Sequence, residues 1–130
     1  MEIDADNDNA FKIVNGATEH FVVDSRSASG TCGAKMLTGY SLGYAAKTAN
    51  YTITNTDSLI HCTANTFVLT LPTAASISGR VYHLKNTGSG TITLNTTSSQ
   101  TIDGNASGTV TLAQWDALTL ASDGANWIII

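Results

Sequence analysis

Gly39-Tyr40-Ser41-Leu42-Gly43 has the G-x-S-x-G spacing that lifts a nucleophilic serine clear of a sharp turn, and Asp57 and His61 follow in the chain order of a Ser…Asp…His triad. That chemistry needs a buried strand before the serine, a helix after it and a parallel sheet to hold both. This sequence has neither strand–helix alternation nor the length for such a fold, so the segment reads as a loop. Asp4-Ala5-Asp6-Asn7-Asp8-Asn9 alternates carboxylates as a calcium loop does. Asn9 stands where the sharp turn needs glycine, Lys12 puts a cation at the ninth position, and Asn15 replaces the bidentate glutamate at the twelfth. It reads as a solvated acidic turn. His20, His61 and His83 share no short ligand spacing and read as packing residues in half-buried strands. Cys32 and Cys62 match no zinc spacing and read as small buried hydrophobes, with a bridge between them left open because spacing does not give their distance in space. The aromatic residues Tyr40, Tyr44, Tyr51, Tyr82, Trp115 and Trp127 could stack against sugar rings, since an aromatic face offers apolar area beside a polar rim. Trp127 precedes Ile128-Ile129-Ile130 and reads as core. Tyr40, Tyr44 and Trp115 sit in glycine-rich or polar surroundings and are the candidate binding residues. No catalytic residue, metal or cofactor is expected.

The elements that must position these residues are strands. Charged residues are only 12% of the 130-residue chain, against about 25% in an ordinary soluble domain. Their place is taken by twenty Thr and twelve Ser, with eleven Gly and a single Pro. Thr suits a pleated, half-exposed surface, and Gly and Asn suit tight turns. Phe11-Lys12-Ile13-Val14 alternates as a strand, Asn15-Gly16 marks a turn, and His20-Phe21-Val22-Val23 answers as a second strand, so residues 1–25 predict a shaft-like β segment. From 26 to 50 the period of two is lost among Gly30, Gly33, Gly39 and Gly43. This segment reads as irregular connecting chain that admits a short helical turn at Tyr44-Ala45-Ala46-Lys47. From 51 to 130, apolar residues recur two apart at Tyr51/Ile53, Phe67/Leu69/Leu71, Tyr82/Leu84, Ile92/Leu94, Val110/Leu112, Leu118/Leu120 and Trp127/Ile129. Turn residues separate them at Ser78-Gly79, Thr87-Gly88-Ser89-Gly90, Asp103-Gly104, Ser107-Gly108 and Asp123-Gly124, at intervals near those of hairpins. Pro72 ends the strand from Phe67 to Leu71, where a missing N–H is tolerated. The expected fold is all-β, with an antiparallel β-sandwich-like head.

A net charge of −4, with six Lys and Arg spread singly, leaves no electrostatic footprint for nucleic acid or an anionic membrane. The apolar runs fall far short of the roughly 20 residues of a membrane span. The start Met1-Glu2-Ile3-Asp4 lacks the basic and apolar regions of a signal peptide. A sugar-cleaving enzyme would need paired carboxylates that this acid-poor C-terminal half hardly supplies.

The order of Leu69-Thr70-Leu71-Pro72-Thr73-Ala74, Gly79-Arg80-Val81-Tyr82-His83-Leu84-Lys85-Asn86, Thr91-Ile92-Thr93-Leu94, Ile102-Asp103-Gly104 and Asp123-Gly124-Ala125-Asn126-Trp127 resembles the terminal domains of bacteriophage tail fibres and related virion spikes. Phe11-Lys12-Ile13-Val14-Asn15-Gly16 with Phe21-Val22-Val23-Asp24 is similar to the short β repeats of the fibre shafts in those proteins. The resemblance implies a non-enzymatic homotrimer in the virion, assembled in the host cytoplasm, that partners other virion proteins and binds a host surface receptor, a glycan or protein, with Tyr40, Tyr44 and Trp115 as candidate receptor-binding residues. In such a trimer, symmetry would turn one inward-pointing histidine per chain into a ring of three around the axis, which could hold a metal ion that a monomer could not. A structural adaptor or capsid decoration protein without a receptor, and a monomeric carbohydrate-binding module, are the alternatives.

Overall fold

The computed structural model describes residues 11–15, 18–24, 33–35 and 40–130. The chain divides into a unit that ends at Ser41 and a unit from Leu42 to Ile130. In the first, β1 (Phe11–Asn15) and β2 (Thr18–Asp24) pair antiparallel, with Phe11 opposite Val23, Asn15 opposite Thr18 and a register shift between Ile13 and Val14. A third strand, β3 (Gly33–Lys35), adds antiparallel to β2. The acidic turn at Asp4 to Asn9, together with Cys32 and Gly39, lies outside the described residues.

The second unit has nine strands and, among the described residues, no helix: β4 (Tyr44–Lys47), β5 (Tyr51–Thr52), β6 (Leu59–Cys62), β7 (Phe67–Thr70), β8 (Val81–Asn86), β9 (Ile92–Asn95), β10 (Thr109–Leu112), β11 (Ala117–Ser122) and β12 (Trp127–Ile129). They form two mixed sheets, one ordered β12-β11-β8-β6-β4 and the other β10-β9-β7-β5. The expected all-β class holds, but the antiparallel arrangement does not. From β4 to β9 the chain steps from one sheet to the other at every strand. β4, β6 and β8 therefore stack in parallel, as do β5, β7 and β9, giving three successive coils. Only the last pass runs backwards: β10 is antiparallel to β9, β11 to β8 and β12 to β11. The turn at Thr87-Gly88-Ser89-Gly90, read with hairpin spacing, is a corner between the two sheets. A second correction concerns Tyr44–Lys47, which is strand β4 rather than irregular chain or a helical turn.

Both sheets turn one face inward, and the inward residues stack from coil to coil. Ile60 lies beside Leu84 and Leu84 beside Leu118, while Phe67 lies beside Ile92 and Ile92 beside Leu112. With Ile53, Leu69, Leu71, Tyr82, Leu94, Ile102, Leu120 and Trp127 they form one continuous buried core. Trp127 packs its ring 5.5 Å from that of Tyr82. The segment through Ile102 closes the β12 edge: Trp127 donates its N–H to the Thr101 carbonyl at 3.0 Å, and Ile129 donates to Asp103 Oδ1 at 2.8 Å. Those contacts occupy an edge that would otherwise present unpaired backbone groups.

The outer face of the four-stranded sheet accounts for part of the Thr content. Thr52, Thr70, Asn95 and Thr109 are register neighbours in one row, and Val68, Thr93 and Thr111 in the next. The outer face of the five-stranded sheet carries Tyr44, Leu59, His83 and Thr119 in one row and Ala46, His61, Lys85 and Ala117 in another.

Candidate functional site

The three corners that follow β4, β6 and β8 and the turn between β10 and β11 gather at one end of the coils. Asn86 organises that end. It occupies the last inward position of β8, after Tyr82 and Leu84 in the strand alternation, and is fully buried. Its side-chain N–H groups donate to the carbonyls of Gly90 at 2.8 Å and Leu112 at 3.0 Å, and its Oδ1 accepts the Gly88 N–H at 3.0 Å. Its backbone N–H donates to the Asp116 carbonyl, and its carbonyl accepts the Trp115 N–H at 2.8 Å. One buried amide thus ties the β8–β9 corner to the β10–β11 turn. The corner itself demands glycine at position 88, where a Cβ would fall 1.7 Å from the Ala64 carbonyl oxygen of the coil below.

That turn presents Trp115. The residue has a φ of 75° and an exposure of 65%. The other non-glycine residues at positive φ are three serines and an aspartate, so Trp115 is the single bulky side chain among the described residues held in the left-handed region. Such a conformation costs on the order of 1–3 kcal/mol and persists only where its surroundings hold it. Here the holders are the Asn86 carbonyl, the Lys85 ammonium, which donates to the Trp115 carbonyl, and the Asp116 carboxylate, which accepts the Ala113 N–H at 2.9 Å.

Tyr44, 60% exposed, opens β4 opposite Leu59 at the other end of the strands, and its side chain runs along the sheet toward His61. Its hydroxyl meets His61 Nδ1 at 2.8 Å, His61 Nε2 meets the Thr87 hydroxyl at 2.7 Å, and the Gln114 amide reaches the Thr87 carbonyl at 3.4 Å. A hydrogen-bonded chain therefore runs from Tyr44 across β6 and the β8–β9 corner to the residue before Trp115. Of the three sequence candidates, the structure links Tyr44 and Trp115. Tyr40 is 72% exposed and belongs to the other unit. Thr87 and Gln114 escaped the sequence reading as site residues, and His61 was read as a packing residue, because their proximity depends on coil stacking. Asn86 carried a legible signal that the sequence reading left unused: an amide on the inward phase of the alternation Tyr82, Leu84, Asn86.

The remaining groups singled out in the sequence have other roles. Gly43 leads directly into β4, and its carbonyl accepts the N–H groups of Ser58 and Leu59. The Asp57 carboxylate is 7% exposed and accepts Tyr51 Oη at 2.9 Å, the Thr54 N–H at 2.8 Å and the Thr54 hydroxyl at 2.9 Å. It lies at the opposite end from Trp115. There Arg80 donates to the Asn55 carbonyl at 2.7 Å and to the Asp57 carbonyl, and Tyr82 donates to the Thr54 carbonyl at 3.1 Å. Burial works to raise the Asp57 pKa, but the hydrogen bonds from Thr54 and Tyr51 and the charge of Lys47 together hold it below 3.8. A depressed carboxylate stabilises the fold above its unfolded pKa and loses that contribution as pH falls through the folded value. Asp57→Asn should therefore cost about 1–2 kcal/mol at pH 7, and the gap to the parent protein should narrow as unfolding titrations move below pH 3.8. A gap that stays constant from pH 6 to pH 2.5 would contradict the assignment. Cys62 is buried, and burial pushes its thiol up to about 11, so it is a packing residue without thiolate chemistry at neutral pH. His83 bonds Thr119 at 3.1 Å. Among the described residues no cluster of three or more His, Cys, Asp or Glu could hold a metal ion.

What the fold and site define is a class: a charge-poor unit of three parallel β coils closed by a reversed pass, with a strained, exposed tryptophan displayed from one end and an exposed tyrosine on the edge strand β4. No family model matches this chain, and no curated protein or solved structure matches it either.

Proposed function

We propose that this chain is a non-enzymatic fibre or spike protein of a virion, homotrimeric and assembled in the host cytoplasm, that attaches the particle to a receptor on the host cell surface. The observation that carries the reading is Trp115, a large aromatic ring held exposed in a strained backbone by three neighbouring groups on a well-packed coil. An arrangement that costs stability and leaves most of a large ring exposed is what a recognition surface requires. Trimerisation fits the apolar residues Ile128, Ile129 and Ile130, exposed by 39%, 40% and 66%, because packing between chains would cover them. The low charge content and the resemblance to fibre termini support the same reading. The β1–β2 pair is the shaft-like segment in this scheme, and three copies per fibre would raise weak single-site affinity through multivalency.

The test is light scattering during size exclusion, repeated on an unboiled detergent gel and paired with binding of labelled protein to whole bacterial cells. A mass near three chains with cell binding is expected. A trimer that binds no cells would instead favour an adaptor or decoration protein, and a clean monomer that binds soluble oligosaccharide would favour a carbohydrate-binding module.

A further inference from the structure

Resting on the homotrimer reading, we infer that copies of this chain pack against one another through the outer face of the five-stranded sheet. The two sheets turn very different surfaces outward. On the four-stranded sheet the outward rows are almost entirely threonine, short hydroxyl side chains suited to water. On the five-stranded sheet a row of Val81, Ala121 and Ile128 lies beside the row that holds Tyr44 and Leu59, which Ile130 extends by donating its N–H to the Thr119 carbonyl at 3.1 Å. Tyr44, Ile128 and Ile130 are exposed, and Leu59 and Val81 half-buried. Contiguous apolar side chains of this kind mark a contact surface, whereas single ones do not.

The chemistry of the face points to a second copy as its occupant. Its polar groups are largely satisfied within the chain: both ring nitrogens of His61 are bonded, to the Tyr44 and Thr87 hydroxyls, and His83 Nδ1 meets the Thr119 hydroxyl. Covering the face therefore strands few donors or acceptors. The side-chain carboxylates of the second unit are engaged elsewhere, those of Asp57, Asp103, Asp116 and Asp123 accepting the N–H groups of Thr54, Ile129, Ala113 and Asn126. Lys85 is the single cation on the face, at its margin, where its ammonium donates to the Trp115 carbonyl. The face has no charge pattern by which to select a foreign protein, and its best complement is an identical apolar face. Its size agrees. Five strands about 4.8 Å apart and three rows about 6.7 Å apart span roughly 500 Å² per copy. Two such faces bring together about 1,000 Å², the floor for a specific interface, and three turned toward one axis about 1,500 Å², the size of a stable one.

The experiment uses the full chain. Ile128→Lys and Leu59→Lys each put a charge on the inferred interface, and Thr93→Lys and Thr111→Lys put one on the outer face of the four-stranded sheet. Association is read by light scattering during size exclusion over a dilution series and by the unboiled detergent gel, and thermal unfolding followed by circular dichroism shows that each variant is folded. We expect Ile128→Lys and Leu59→Lys to lose the trimer band and to raise the concentration of half-dissociation at least about 10-fold. Thr93→Lys and Thr111→Lys should stay within about 2-fold of the parent. Ile128→Ser removes apolar area without adding charge and should weaken association by about 3-fold or more, so the inference remains testable where a lysine variant fails to fold. Unchanged association in the folded variants of Ile128 and Leu59, or an equal loss in Thr93→Lys, would overturn the inference while leaving the trimer intact. A parent protein that is monomeric at every concentration would bring down the homotrimer reading itself.

Discussion

Asn86→Leu should lose about 3–4 kcal/mol of stability in a denaturant titration, and with it roughly 15–25 °C of Tm for a unit of this size. Leucine has similar volume and belongs by type in a core position, so the loss cannot come from a cavity. It comes from the carbonyls of Gly90 and Leu112, which lose the Asn86 donor, while the Gly88 N–H loses one of two acceptors and keeps the Cys62 carbonyl at 3.2 Å. A buried polar group without a partner costs about 1–3 kcal/mol, and half-exposed Gly90 recovers part of its share from water. Asn86→Asp separates the contributions. The carboxylate still accepts from Gly88 but cannot donate to either carbonyl when ionised, so the variant should be as unstable as Asn86→Leu at neutral pH and recover in part once the acid is protonated. A loss below about 1 kcal/mol for the leucine variant would mean that water replaces the amide and that Asn86 does not hold the end together. Because the Asn86 backbone also anchors the Trp115 turn, both variants should expose further backbone amides of residues 113–116 to hydrogen exchange well before global unfolding.

Trp127→Ala should be the most damaging single truncation of the core, costing about 4 kcal/mol, because the side chain is fully buried and lies against Tyr82. Trp127→Phe should cost less than about 1 kcal/mol. The indole Nε1 is buried with no hydrogen-bond partner, so the wild-type residue already bears a desolvation penalty that phenylalanine removes. The smaller ring loses contact area, and the relief of the orphaned N–H offsets most of that loss. Equal destabilisation by the two variants, measured by the same denaturant titration, would show that the indole nitrogen is satisfied and that its hydrogen bond matters more than ring packing.

The strand content was legible because an inward-facing apolar residue at every second position marks a half-buried strand whatever its neighbours. Tyr51, Phe67 to Thr70, Tyr82, Ile92, Val110, Leu118 and Trp127 all fall in strands of the structure. β4 escaped because Tyr44-Ala45-Ala46-Lys47 lacks a large apolar residue on its inward phase. It is recruited by pairing with Leu59 to Cys62 rather than by its own pattern. Of the candidate binding residues, Trp115 and Tyr44 could be named from type and surroundings. Their connection through His61 and Thr87 could not, since the four residues are far apart in the chain and meet only when the coils stack.

Sequence alone thus determined an all-β chain with a continuous apolar core and little charge, together with the identity of its exposed aromatic candidates. These follow from local periodicity and composition. Tertiary structure decided that the strands coil in parallel between two sheets, that Asn86 is a structural hub, and that Trp115 is held in strain. The physical reason is that one inward face and one outward face produce the same alternation in a parallel coil as in an antiparallel sandwich. Strand direction and partner choice are settled only by which stacked residues fill the core and which corner carbonyls find a donor.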